Sequence, residues 1–107
     1  MFAREVKAFV NRDRAADVVE ALNSLGFHHI TAADVQGLSK DLSDRAQHYS
    51  VEVGQKVVNE VKLELVCDND QRVADAVQAI RENARTGQPS AGWIFITDIR
   101  SAIEITD

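Results

Sequence analysis

Cysteine is nearly absent from this 107-residue sequence: Cys67 stands alone, so no internal disulfide can staple the chain and no second thiolate is there to share a zinc ion. Its expected place is that of a small core residue. Basic residues are also scarce. Twelve Lys and Arg against 17 Asp and Glu give a net charge of −5 with no basic cluster, which excludes the electrostatic footprint of a nucleic-acid binder. No apolar run is long enough to cross a bilayer, and the opening Met1 to Lys7 is interrupted by charge too often to act as a signal segment. A cytoplasmic protein, not embedded in a membrane, is expected. Proline occurs once, at Pro89, so almost nothing interrupts regular structure.

What is present is periodicity. Val6, Ala8 and Val10 alternate with Lys7 and Phe9, the pattern of a strand with one buried face. From Asp13 the period changes: Ala15, Val18, Leu22 and Leu25 recur at helical spacing, and Gly26 follows as a stop. Residues 30–36 return to extended character. Residues 39–56 are polar and without a fixed apolar period, which predicts a long exposed loop of the kind that is functional when a compact domain keeps it. The clearest alternation lies at 57–67, with Val61, Leu63, Leu65 and Cys67 against Glu60, Lys62 and Glu64. Asp68 with Gln71 reads as a capping pair for a second helix, whose stripe is Val73, Val77, Ile80 and Ala84 and whose end is Thr86-Gly87. A turn over 86–93 leads into a strand at 93–97, and residues 102–105 suggest a short edge piece.

The order is βαββαβ within a single domain spanning 1–107. Each helix has one apolar stripe to bury, so both belong on one face of a four-stranded antiparallel sheet, the ferredoxin-like α+β fold. The opposite face then carries Phe9, Trp93 and Phe95 beside Lys62 and Glu64. Aromatics on an open sheet face mark a subunit interface or binding surface, and a homo-oligomer is expected.

Catalytic readings find little support. Gly87-Gln88-Pro89-Ser90-Ala91-Gly92 has the glycine spacing of a phosphate loop, but it leaves a helix and enters a strand and lacks the Lys-Ser/Thr that follows in a Walker loop. Amides at Ser90, Ala91 and Gly92 could still form an anion nest, while Pro89 offers no donor. His28 and His29, adjacent on extended chain, point to opposite faces and cannot share one metal from one chain. Ser43, Asp44 and His48 are the residue types of a nucleophilic triad, but a polar loop supplies neither rigid placement nor an oxyanion hole. The expectation is a binding protein, not an enzyme, with no cofactor and no resident metal.

With those segments placed, the sequence resembles the PII signal-transduction family along nearly its whole length. Ala32-Ala33-Asp34-Val35-Gln36-Gly37 is similar to the family's strand entering its long T-loop. Val61-Lys62-Leu63-Glu64-Leu65-Val66 is similar to its Val-Lys-Ile-Glu-Ile-Val strand. Ala84-Arg85-Thr86-Gly87 with Gly92-Trp93-Ile94-Phe95-Ile96 resembles its B-loop, Thr-Gly-x-x-Gly-Asp-Gly-Lys-Ile-Phe-Val. The resemblance implies a homotrimer that binds adenine nucleotide in clefts between subunits and engages a target transporter or enzyme through the loop, in nitrogen or inorganic-carbon metabolism. It also implies a nucleotide site drawn from Thr31, Gly37, Leu38, Ser39, Lys40, Glu64, Gly87, Gln88, Pro89, Ser90, Ala91, Gly92 and Trp93.

The departures narrow that implication. Trp93 stands where the family has its phosphate-binding lysine, and Ser90 and Ala91 replace Gly-Asp. Glu104 and Thr106 stand for two arginines, Asp41 and Glu60 for a glutamine and a lysine, and Val53 for the modified tyrosine. Losing several cations around a triphosphate costs charge-assisted contacts of about 1.5–3 kcal/mol each. AMP, ADP or a small anion such as bicarbonate is therefore the expected effector in preference to magnesium-ATP with 2-oxoglutarate. An alternative from the same architecture is a trimeric metal-binding protein of the divalent-cation-tolerance type, prompted by His28, His29, His48 and Cys67.

Overall fold

A computed structural model describes residues 3–38, 47–50 and 55–107. Its elements in chain order are β1 (Arg4–Asn11), α1 (Arg12–Ser24), β2 (Thr31–Leu38), β3 (Gln47–Ser50), β4 (Gln55–Cys67), α2 (Asp70–Asn83) and β5 (Gly92–Asp98). The sheet runs β2-β4-β1-β5 with every neighbour antiparallel, and β3 pairs with β4. This is the expected ferredoxin-like arrangement, with β3 added.

The inward face follows the alternation. Val6, Ala8 and Val10 of β1 sit opposite Leu65, Leu63 and Val61 of β4 and Ile96, Ile94 and Gly92 of β5. Against them pack Val18 and Leu22 of α1 and Val73, Ala76 and Ile80 of α2, all buried, which closes one core between the sheet and a helix layer. Cys67 is part of that core, and burial pushes its thiol pKa up, with Arg72 opposing and Asp68 adding.

The helix ends are set by individual hydrogen bonds. Asn11 Oδ1 accepts from the Asp13 amide at 2.9 Å, so α1 opens at Arg12, one residue before the stripe suggests. At its other end Gly26 (φ +88°) donates to Asn23 O and Phe27 to Leu22 O, both at 3.0 Å, the paired closure that a left-handed glycine permits. Leu25, expected on the apolar stripe, falls instead at the C-cap and is 45% exposed. The α2 cap is Asn69, whose Oδ1 accepts from the Arg72 amide at 2.8 Å. The expected Asp68–Gln71 pair does not form: Asp68 accepts from the Asn69 side chain, and Gln71 bonds Asp75 one turn on.

Two other expectations need correction. The expected loop over 39–56 contains strand at both 47–50 and 55–56. The reason is an open place on β4: β1 ends at the pair Asn11–Glu60, while β4 continues outward to Gln55, and β3 takes the vacated side from Gln47–Val58 to Ser50–Gln55. The ladder is defined by its backbone pairing, and alternation carries no trace of it. Residues 39–46 and 51–54 lie outside the described residues. The expected edge piece at 102–105 is not a strand. The Ile99 amide donates to Ala3 O at 3.0 Å, carrying the chain on past β1 instead of back along β5, and Ile103 and Ile105 are left exposed.

Candidate functional site

The sheet's outer face is ordered in cross-strand rows. One row runs Ala33, Lys62, Phe9, Trp93, and the next Thr31, Glu64, Lys7, Phe95. Phe9 meets Phe95 edge-on with centroids 6.0 Å apart, and Trp93 lies nearly parallel to Phe95, 14° between planes and centroids at 6.2 Å. Lys62 and Glu64 are 3.5 Å apart, as are Lys7 and Glu5, so the charges on this face are neutralised within it. What stays open is aromatic: Trp93 is 61% exposed.

The candidate residues divide into two groups. Thr31 lies directly opposite Glu64, while Gly37 and Leu38 lie further along β2, opposite Val58 and Val57. The second group is the turn that enters β5. Gly87 (φ +82°) begins it, the Gln88 amide is bonded to Thr86 Oγ1 at 3.3 Å, and Pro89, Ser90 and Ala91 lead to Gly92 and Trp93, opposite Val10 and Phe9. Ser39 and Lys40 lie outside the described residues. Both groups reach the same end of the sheet, because β2 ends there and β5 begins there. They are on opposite outer strands, however, with β4 and β1 between, so about 14 Å of sheet separates them. One chain does not close a pocket around both.

Gly92 is the most constrained position of the turn. Its φ is +143°, and a Cβ built on it would stand 2.0 Å from Phe9 O. Here β5 comes close to β1 in a conformation that side chains rarely adopt, so glycine is required for backbone reasons alone.

His28 and His29 line a small hollow of about 210 Å³ with Cys67, Asp68 and Arg72. Arg72 spans it: its guanidinium lies 3.6 Å from the Phe27 ring centroid, and Nη1 donates to Leu25 O at 2.7 Å. Among the described residues no group of three His, Cys, Asp or Glu side chains is placed to hold a metal ion, and no helix is long and apolar enough to cross a membrane.

A feature that sequence reasoning missed lies on the other side of β5. Arg81 and Arg85 flank a trough between α2 and the edge of β5, joined to the turn by Ala91, Gly92 and Trp93. No sequence signal links them, because the trough exists only once β5 lies beside α2.

Comparison with known proteins agrees with this geometry. The family model for nitrogen regulatory protein P-II matches residues 3–107. A curated relative, nitrogen regulatory protein P-II 1 of Methanothermobacter thermautotrophicus, is 33% identical over 102 residues, covering 95% of this chain and 88% of its own. The nitrogen regulatory protein P-II homolog of Arabidopsis thaliana is 32% identical over 102 residues, 94% of this chain and 52% of its own. In three dimensions the chain matches the crystal structure of Arabidopsis thaliana PII bound to citrate with a TM-score of 0.72 at 32% identity, covering 92% of this chain and 78% of that one. A fold built as βαββαβ, a match along the whole chain and relatives above 30% identity lead to one assignment: this chain belongs to the nitrogen regulatory protein P-II family, whose members are signalling regulators.

Proposed function

We propose that this protein is a trimeric regulator that binds a small effector in the clefts between its subunits and passes that occupancy to the 39–56 segment, which docks on a transporter or enzyme. The observation that carries the reading is the division of the candidate residues between the two outer strands: Thr31 and Gly37 on β2, Gly87 to Trp93 at the start of β5. Such halves form one site when the β2 edge of one copy meets the β5 edge of another, which makes the site a reporter of assembly as well as of ligand.

The effector we assign is AMP or ADP, or a small anion, rather than magnesium-ATP with 2-oxoglutarate. Trp93 brings an aromatic face where a triphosphate would need a cation. The coupling is a population shift, in which the effector binds one loop conformation better and enriches it. The setting we assign is nitrogen or inorganic-carbon metabolism, and the family's description as nitrogen regulatory proteins supports the first.

Titration calorimetry with AMP, ADP, magnesium-ATP and bicarbonate, run beside sedimentation analysis, tests both halves of the proposal. The expected result is a trimer with saturable AMP or ADP binding that added 2-oxoglutarate does not tighten. Absence of binding by all four at millimolar concentration removes the sensor, and a monomer at micromolar concentration removes the shared cleft.

A further inference from the structure

Between α1 and α2 runs a groove of about 340 Å³, lined by the two helices and the C-cap Leu25 and by no residue of the sheet or of the 87–93 turn. Assembly through the β2 and β5 edges therefore leaves it open. Its floor is Ala21, Ala79 and Leu25. The alanines are small enough to admit another helix closely, and Leu25 is the one exposed large hydrophobic of the helix layer among the described residues. The walls are polar. Ser24 and Asn83 each donate back to their own helix, to Glu20 O and Ala79 O. Asp75 Oδ1 accepts from Gln71 and Glu82 Oε1 from Gln78, but neither carboxylate has an ion pair among the described residues. The arginines of the two helices do not supply one: Arg12 and Arg14 pair with Asp34 and Asp17, Arg72 is held by the Phe27 ring and Leu25 O, and Arg81 lines the trough beside β5.

We propose that this groove is a docking surface for a basic amphipathic helix of a partner protein, with arginine or lysine at positions i and i+7 of its apolar face. Charge complementarity sets the choice. Asp75 and Glu82 stand seven residues apart on α2, about 10.5 Å along one face, which is the spacing of i and i+7 on a second helix laid in the groove. An apolar side chain at i+4 then meets Leu25 between the alanines, while each cation reaches one carboxylate. The net charge of −5 favours the approach of such a partner. The groove uses none of the residues of the intersubunit cleft, so it stands whether or not an effector binds there.

The test titrates the intact protein, at low salt, with a stapled helical peptide that carries arginines at i and i+7 and leucine at i+4, the staple holding a helix too short to persist alone. Backbone amides are followed by NMR. Two control peptides place glutamates at the same positions, or arginines at i and i+5, which point to different faces. The first peptide is expected to bind saturably, one per chain, and at least about fivefold more tightly than either control. Amide shifts should centre on Ala21, Leu25, Gln78 and Glu82. The double variant Asp75→Asn/Glu82→Gln keeps a carbonyl for each glutamine partner, so it should melt as the parent does and lose about fivefold or more in affinity for the arginine peptide. No binding of that peptide at millimolar concentration, equal binding of either control, undiminished binding by the double variant, or shifts centred outside the two helices would each overturn the proposal.

Discussion

Replacing Gly92 by alanine should damage this fold far more than the same change at Gly87, although both glycines have positive φ. At Gly87 (φ +82°) nothing lies within 4 Å of an added Cβ, so the cost is that of a left-handed alanine, about 1–2 kcal/mol. At Gly92 (φ +143°) the conformational cost of about 1–3 kcal/mol comes with a Cβ 2.0 Å from Phe9 O, a backbone atom that cannot rotate away. Relief requires the start of β5 to move off β1, weakening the ladder at Gly92–Val10 at about 1 kcal/mol per hydrogen bond and loosening Trp93 from Phe9. The sum is about 3–5 kcal/mol, a large part of the roughly 5–15 kcal/mol that holds a domain of this size together. At about 4–8 °C per kcal/mol, Gly92→Ala should lower the melting temperature by about 12 °C or more, and Gly87→Ala by about 4–16 °C. Circular dichroism melts at one fixed protein concentration measure both, and Trp93 fluorescence reports whether the loss starts at β5. Equal shifts for the two variants would refute the argument from the Phe9 contact, leaving the positive φ as the whole effect.

The capping assignment predicts that Asn69→Ala costs about 1 kcal/mol in denaturant titration while Asp68→Ala costs only a few tenths; the reverse order would restore the cap read from sequence. Arg72→Ala should lose about 1–2 kcal/mol, and Arg72→Lys most of that, because an ammonium does not reproduce a guanidinium that both covers the Phe27 ring and donates to Leu25 O. The raised pKa of Cys67 has a direction in pH. Below the ordinary thiol value of 9.0 both folded and unfolded thiols are protonated; above it the unfolded chain ionises first, so stability falls as pH climbs from 9.0 toward the raised folded value. Unfolding free energies of wild type and Cys67→Ala, measured across that window, should converge as pH rises, and parallel curves would contradict the burial argument.

The plainest signals of alternation and helical stripe come from elements whose side chains face the core; β2, read from Thr31, Ala33 and Val35, is the exception, with no buried side chain among 31–36. Val6, Ala8 and Val10, or Val61, Leu63 and Leu65, announce their strands because one face of each is buried. β3 lacked that signal, since its place is decided by where β1 stops alongside β4. Ile103 and Ile105 gave the opposite error: the residues suit a strand, but Ile99 leads the chain along Ala3 and no partner strand is met. The Asp68–Gln71 spacing was one residue out because capping depends on which oxygen reaches the third amide, a matter of backbone angle. Of the candidate site, Thr31 and Glu64 could each be placed on a strand from its pattern, and the Gly87–Gly92 turn from its glycines, while the Thr31–Glu64 pairing comes from the register. Arg81 and Arg85 could not be, as their relation to Ile94 and Ile96 arises from packing between α2 and β5.

The 13 residues of β4 do two jobs with one length of backbone. From Glu60 to Glu64 it is an inner strand of the sheet, held on both sides, by β1 and β2, and from Leu65 to Cys67 by β1 alone; from Gln55 to Val58 it is the spine to which β3 is laced. At about 3.3 Å per residue that is a lever some 40 Å long, with its short arm beyond the end of β1 and its pivot near Glu60, which is buried. A lever of this kind cannot slide, because moving by one residue would turn every inward side chain outward. It can only tilt or twist, so any load on the outer arm is delivered as torque to the middle of the sheet.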